Sequence, residues 1–369
     1  MIDLISRRLR YAREKRDFTQ ADLSRKLGFK DRQTLAAIEA GQRKLSAEEL
    51  VRATQILGVD LEFFTDRFRL VDEGSFSWRT TKHATPALLT TFEEKAGRWI
   101  ALYRQLGERK NSVSPPVLQP RLPLTHQSSY EDACAAAENL GREWELGEVP
   151  ALRLPQCVRD KLGALILNVD APQSISGAAC HVPGLNVILI NRNEPEGRRH
   201  YDLAHEVFHL LTWEQMTPEH CEHEIPHGGK GKRSEQLADN FASALLMPER
   251  TLRPQWETHS HGDLHTWLNT TANNLRVTAV ALKWRLVQLG WLTKADLLTI
   301  RDKKLTANGC SHTPSPTPRR FSEAFMQRLH DALATGALSV RRAASLLDMT
   351  IEDLGELFED YELPIPFDL

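Results

Sequence analysis

Long apolar runs are missing from this sequence. Nowhere do about 18 apolar residues follow one another, which argues against a transmembrane helix and a membrane role. Net charge is nearly absent too. Lys+Arg 47 against Asp+Glu 49 leaves -2, so the chain as a whole is no polycation, and any nucleic-acid site must be a local patch. Cysteine is sparse, with only Cys134, Cys157, Cys180, Cys221 and Cys310. Odd in number, widely spaced and without a CxxC pair, these residues exclude a disulfide scaffold and fit a reducing, cytoplasmic compartment. The N-terminus, MIDLISRRLRYAREKR, alternates charged with apolar side chains and lacks the apolar stretch of a secretory signal. There is no long internal repeat.

What is present reads as globular. Hydrophobic residues make up 41% and charged residues 26% of the 369 positions, enough to build cores rather than a disordered chain. The length allows two or three domains. Two stretches read as linkers: Gly107–Gln127, with four prolines, and Thr306–Arg320, rich in Ser, Thr and Pro. The expected division is 1–68, 69–127 as a helical and Pro-rich connector, 128–303, 304–320 as a linker, and 321–369.

Residues 1–68 are helical by period. Leu4, Ile5, Arg8, Leu9 and Ala12 form one stripe. Thr19 is a plausible N-cap for TQADLSRKLGF, with Asp22 in the capping-box position, and Gly28 ends that helix. Asp31 can cap RQTLAAIEAG, and Ser46 with Glu49 forms an S-x-x-E box before LVRATQILGV. LEFFTDRF reads as a fifth short helix. The region holds 14 Lys+Arg against 11 Asp+Glu, a net +3 in an otherwise acidic protein. Gln20 at a helix N-terminus can contact phosphate. Arg32, Gln33 and Thr34 open the helix whose side chains can reach base edges in the major groove. The competing reading is a helical bundle that contacts only protein.

The string Leu9, Arg10, Ala12, Arg13, Thr19-Gln20, Leu23, Leu27-Gly28, Ile38-Glu39 and Gly41 resembles the XRE family of lambda repressor/Cro-like helix-turn-helix domains. The resemblance implies a double-stranded DNA operator as partner, an Arg13–Glu39 ion pair between the first and third helices, and a homodimer on paired half-sites. Gly28 to Glu39 is one residue longer than the usual family spacing.

The central region mixes periods. Tyr130–Glu145, Gly197–Trp213, Arg233–Met247, Asp263–Asn274 and Val277–Leu289 read as helices. Ala164–Val169, Ser174–Val182 and Asn186–Arg192 read as strands. The sharpest signal is His205-Glu206-Val207-Phe208-His209, an HExxH. On a helix the two histidines share a face and can bind one metal, while Glu206 is placed to take a proton from water beside it. Downstream, Glu235-Gln236-Leu237-Ala238-Asp239 is an ExxxD on a helix. A catalytic zinc wants three protein ligands, so Glu235 is the expected third. Asp239 can accept a hydrogen bond from a ligand histidine and fix its tautomer. The bland reading is a solvated Glu and Asp on a helix face.

The segments LINRNEPEGRRHYDLAHEVFHLLTW and EQLADNFASALLMP resemble the ImmA/IrrE metallopeptidase family across residues 128–300. That resemblance implies a gluzincin-like site, with His205, His209 and Glu235 on Zn2+ and Glu206 as general base. It also implies cleavage of a DNA-binding repressor in some members, often in a stress or DNA-damage response. Other members with an XRE domain in front look like regulators of unproven peptidase activity.

The expected architecture is therefore multi-domain and mainly α with an α+β centre: an all-α helix-turn-helix domain, a zincin-like α+β peptidase domain and a small helical C-terminal domain. Three functions fit. One is a regulator with a working zinc endopeptidase that cleaves a repressor, a partner or itself, in a stress, DNA-damage or phage-related response. Another is a non-proteolytic regulator that senses a small molecule, single-stranded DNA or a partner protein. The third is a member of a toxin–antitoxin-like pair.

Three further expectations concern the surroundings of the site. SISGAACHV at 174–182 is expected to be an edge strand that pairs with extended substrate, Gly177 letting another backbone approach. Cys180 in that strand can occupy the open metal position and hold the site off; otherwise it is a small buried cysteine. His220, Cys221, His223 and His227 have metal-ligand types without a regular spacing, and a loop beside the site is the simpler reading. LLTTFEEKAGRWIALYRQL is an amphipathic helix, expected as a domain joint or dimer contact. In 321–369, Ser339 and Thr350 cap two of three helices, Gly336 and Asp348 fall between them, and the acidic end disfavours phosphate.

Overall fold

The computed structural model describes residues 4–108, 121–223, 232–259, 263–306 and 317–368. Cys310 and His227 lie outside them. Contacts divide the chain into two compact units: Met1–Gly74, Thr90–Asn111 and Arg328–Leu369 form the first, and Ser75–Leu89 with Ser112–Gln327 the second.

The first unit begins with α1 (Leu4–Lys15), α2 (Gln20–Leu27), α3 (Arg32–Glu39), α4 (Ala47–Leu57) and α5 (Leu61–Thr65). Local chemistry sets their ends. Thr19 and Asp22 form a reciprocal capping box at α2, and Ser46 and Glu49 form another at α4. Asp31 caps α3. Gly28 closes α2 at φ 79°, a left-handed conformation that glycine adopts without a Cβ penalty. Leu9, Leu23, Leu27, Leu35, Ile38, Ala53, Leu57 and Phe64 fill one core. Arg8, in the stripe of α1, is buried with them. It donates to the carbonyl oxygen of Phe63 (2.7 Å) and to that of Arg69, which ties α1 to the end of α5.

The rest of the chain alternates between the units, residues 90–111 and 328–369 belonging to the first; it starts in the second with β1 (Ser75–Thr80), in the stretch expected to be connector. The helix α6 (Pro86–Glu108) follows, then α7 (Tyr130–Glu143), α8 (Pro150–Leu162), β2 (Leu165–Val169), β3 (Ile175–Val182) and β4 (Leu185–Asn191). Next come α9 (Glu196–Thr212), β5 (Cys221–His223), α10 (Arg233–Leu246), α11 (Glu249–Glu257), α12 (Leu264–Leu275), α13 (Ala279–Gln288) and α14 (Lys294–Thr299). The last helices are α15 (Glu323–Ala334), α16 (Val340–Leu347) and α17 (Ile351–Asp360). Ser339 and Thr350 cap α16 and α17, with Gly336 and Asp348 left-handed between helices. Arg342 in α16 pairs with Asp66 at 2.7 Å inside the first unit. Among the described residues no helix is long and apolar enough to cross a membrane.

The sheet runs β2-β4-β3-β1-β5. β3 pairs antiparallel with both β4 and β1, and β5 is parallel to β1. The expectation that Ser174–Val182 is an edge strand is therefore corrected: β1 covers its outer side, Phe76 opposite Cys180 and Arg79 opposite Gly177. Side chains alternate across a strand. Ala179, Ile188 and Ile190 join a core with Ala204, Val207 and Phe208 of α9, so this face of the sheet carries α9.

Candidate metal centre and nucleic-acid interface

α9 is buried along nearly its whole length from Tyr201 to Thr212. It can lie this close because Gly197 at its start has no Cβ; one there would stand 2.5 Å from the Val277 carbonyl carbon. α9 and α10 pack side by side. Their burial brings His205, His209 and Glu235 together, one ligand atom from each lying within 4.8 Å of the others, the one such cluster among the described residues. His205 Nε2 lies 3.0 Å from His209 Nε2. Glu235 presents Oε2 to His205 at 3.2 Å and Oε1 to His209 at 3.1 Å. His205 Nδ1 donates to Asp239 Oδ1 at 3.0 Å, so its Nε2 is the free ligand atom.

The electrostatics fit a cation. Burial and Arg79 disfavour a charged His205 ring, yet Glu235 and Asp239 outweigh them and hold its pKa up to about 9. Burial works against the Glu235 carboxylate, but His209 and His205 hold it well below the usual range. Glu206 is buried, and neither of its carboxylate oxygens has a hydrogen-bond partner; burial pushes its pKa up. Asp202 meets the guanidinium groups of Arg79 and Arg198, and Asp239 that of Arg79, while Glu235 faces the two imidazoles. Two imidazoles and a carboxylate are a donor set that suits zinc.

Several residues here were not singled out from sequence. Arg79 reaches the site from β1. Asp202, fully buried one turn before His205, pairs with Arg79 and Arg198. The Tyr201 hydroxyl donates to the Asp239 carbonyl at 2.9 Å. An R-x3-D spacing on a helix flags Arg198–Asp202 as an i,i+4 pair, whereas Arg79 carries no local signal.

Cys180 is not brought to the cluster. It is fully buried in β3, one residue out of phase with Ala179, and therefore points to the face away from α9. The blocking-ligand reading is replaced by that of a buried strand cysteine. Cys221 Sγ lies 3.2 Å from Thr80 Oγ1 and joins no cluster of metal-ligand groups among the described residues.

In the helix-turn-helix region Arg13 and Glu39 form a buried pair, Nε to Oε1 2.6 Å. Gln20 donates its amide to the same Glu39 at 2.8 Å, a structural task beside the phosphate contact expected of it. Arg32 and Gln33 are exposed at the start of α3. Thr34 turns back, its N–H and hydroxyl both donating to Asp31 Oδ1.

Fold and site together define a helix-turn-helix module fused to a metallopeptidase-like domain. Residues 9–64 match the helix-turn-helix family, and residues 159–287 match the IrrE N-terminal-like domain of the M78 peptidases. The chain is thus an XRE-type DNA-binding domain joined to an ImmA/IrrE-like domain. A solved bacterial peptide pheromone/receptor complex, described with its mechanism of gene regulation, aligns over 97% of this chain and 94% of its own at 10% identity. The TM-score of that alignment is 0.17. No curated protein matches the chain.

Proposed function

We propose that the chain is a cytoplasmic DNA-binding transcription regulator whose central domain is a zinc-dependent endopeptidase. Its substrate is a peptide bond in a repressor or partner protein, or in the chain itself, in a stress, DNA-damage or phage-related response. The observation that supports this best is Glu206. A buried carboxylate without a hydrogen bond destabilises a fold by several kcal/mol, roughly the penalty for any unpaired buried charge. Packing alone gives no reason for one beside three converging ligand atoms.

His205, His209 and Glu235 would hold the ion, and Asp239 fixes the tautomer of His205. When bound, the ion supplies Lewis-acid polarisation of the scissile carbonyl. Glu206, its pKa raised by burial, takes the proton of the attacking water and returns it to the leaving amine. On the DNA side, Arg32 and Gln33, with Thr34 beside them, open the helix that reads base edges, Gln20 at a helix start contacts phosphate, and a homodimer spans two half-sites.

The test is zinc content of wild type and His209→Ala, with a cleavage assay on neighbouring-gene repressors and on the chain itself. Glu206→Gln is the control. One zinc per chain and Glu206-dependent cleavage support the proposal; a wild type that binds no zinc overturns it. A second reading rests on burial: His205 and Glu206 are 1% exposed, His209 2% and Glu235 3%. In that reading the zinc domain senses single-stranded DNA, a small molecule or a partner without cutting. Zinc binding with no cleavage, with or without added DNA, would favour it.

A further inference from the structure

We propose that Arg79, supplied by β1 from outside the ImmA/IrrE-like match, is a positioning residue of the metal centre. It clamps the two helices that carry the ligands. The inference rests on the metal reading above.

The backbone puts Arg79 there. It stands opposite Gly177 in the β1–β3 ladder, and paired residues share a face. The missing side chain at Gly177 leaves that face to Glu206, whose Oε1 would be 3.8 Å from a Cβ there. Arg79 therefore points at α9, and its side chain is only 7% exposed. One guanidinium nitrogen donates to Asp239 Oδ1 at 3.3 Å, on α10. The other lies 3.6 Å from Asp202 Oδ1, on α9. The plane sits 5.8 Å from the Tyr201 ring, and Tyr201 in turn donates to the Asp239 carbonyl.

Two features make this more than a buried ion pair. Asp239 Oδ1 is the same oxygen that accepts from His205 Nδ1. Arg79 thus fixes the carboxylate that fixes the imidazole. Asp202 and Asp239 also sit on the two different helices that supply His205 with His209, and Glu235. A fork with two separate donors can bridge them, which a single ammonium cannot do as well. Without the bridge two buried carboxylates face each other, and the spacing of α9 from α10 near the ligands loses its tie.

The experiment is zinc affinity of the full chain, measured by competition with a chromophoric chelator. The variants are Arg79→Met, Arg79→Lys, Asp239→Asn and the double variant Arg79→Met/Asp239→Asn. Loss of a residue that orients a ligand lowers metal affinity roughly 10- to 100-fold. Arg79→Met and Asp239→Asn should each fall in that range, the double variant should be no weaker than the worse single, and Arg79→Lys should lie between wild type and Met. The Co2+ absorption bands should shift in the same direction for Arg79→Met and Asp239→Asn. Wild-type affinity in Arg79→Met, or losses that multiply in the double variant, would overturn the proposal while leaving the metal centre intact. A wild type without zinc would take down the metal reading and this inference together. If Arg79→Met does not fold, the cycle with Arg79→Lys decides: non-additive loss supports the clamp, and wild-type affinity overturns it.

Discussion

In the helix-turn-helix domain Arg13 and Glu39 meet in a buried pair, and Gln20 and the Phe18 carbonyl use the remaining donor and acceptor capacity. In the ImmA/IrrE-like domain the buried charges do not close. Glu206 has no hydrogen bond, and two imidazole nitrogens face one another. Both clusters are buried and both tie helices together. The closed one is complete without anything added and holds the geometry of a surface. The open one asks for a cation. Satisfaction of the hydrogen-bonding inventory separates them more sharply than burial does.

The largest expected effect breaks the open cluster. Chelating zinc should abolish Glu206-dependent cleavage. It should also destabilise the ImmA/IrrE-like domain by about 4 kcal/mol where zinc had been at ~1,000 times Kd, while operator binding by the other domain stays intact. Calorimetry with and without chelator reads both; loss of both transitions together would erase the contrast. Glu206→Gln should lower cleavage by roughly 10²- to 10⁴-fold with zinc retained, as measured by peptide turnover and metal analysis.

Opening the closed cluster comes next. Glu39→Gln should destabilise the helix-turn-helix domain by about 3 kcal/mol, because it leaves Arg13 buried without its partner charge. Replacing both residues by apolar ones should restore much of that, and denaturant unfolding of the four-variant cycle measures it. Arg32→Ala and Gln33→Ala should each weaken operator binding by about 1–3 kcal/mol with unfolding unchanged. Unaltered operator affinity would move the reading surface elsewhere.

The smallest effect concerns pH. Burial works against ionised Glu49, but Arg43 and the Ser46 N–H outweigh it and hold its pKa below the ordinary value. A lowered folded pKa stabilises above the unfolded value, and that stability is lost as pH falls through the folded one. Wild type should therefore lose roughly 0.5–1 kcal/mol on acidification below the usual glutamate range, about the size of one cap. Glu49→Gln should lack that component when unfolding is followed at a series of pH values.

What could be read from sequence was local. Thr19, Asp31 and Ser46 cap the helices they precede, and Gly28 ends α2, because caps are contacts within a few residues. HExxH and ExxxD each lie within one or two helical turns, so His205, Glu206, His209, Glu235 and Asp239 were legible as a set. The residues of β3 carried the right strand, but its outer neighbour lies about 100 residues upstream and was hidden. Phe76, Trp78 and Arg79 alternate as a strand does, yet nothing nearby names their partner. The helix α8 was missed because Pro155 sits inside it, where proline ordinarily argues against helix. Cys180 carried two readings, and parity along β3, which sets it on the opposite face from Ala179, leaves that of a buried strand cysteine.

The position of β1 also sets a timetable for synthesis. The helix-turn-helix core closes among residues that leave the ribosome together. β1 emerges next, flanked in the finished sheet by β3 and β5, which are still unmade. At about 5–20 residues per second, the wait for β3 lasts on the order of 5–20 seconds. During that interval Phe76 and Trp78 have no sheet to cover them, and the nascent chain already carries a folded DNA-binding domain. The metal centre, whose Arg79 is made first and whose Glu235 comes more than 150 residues later, is therefore assembled well after the helix-turn-helix core.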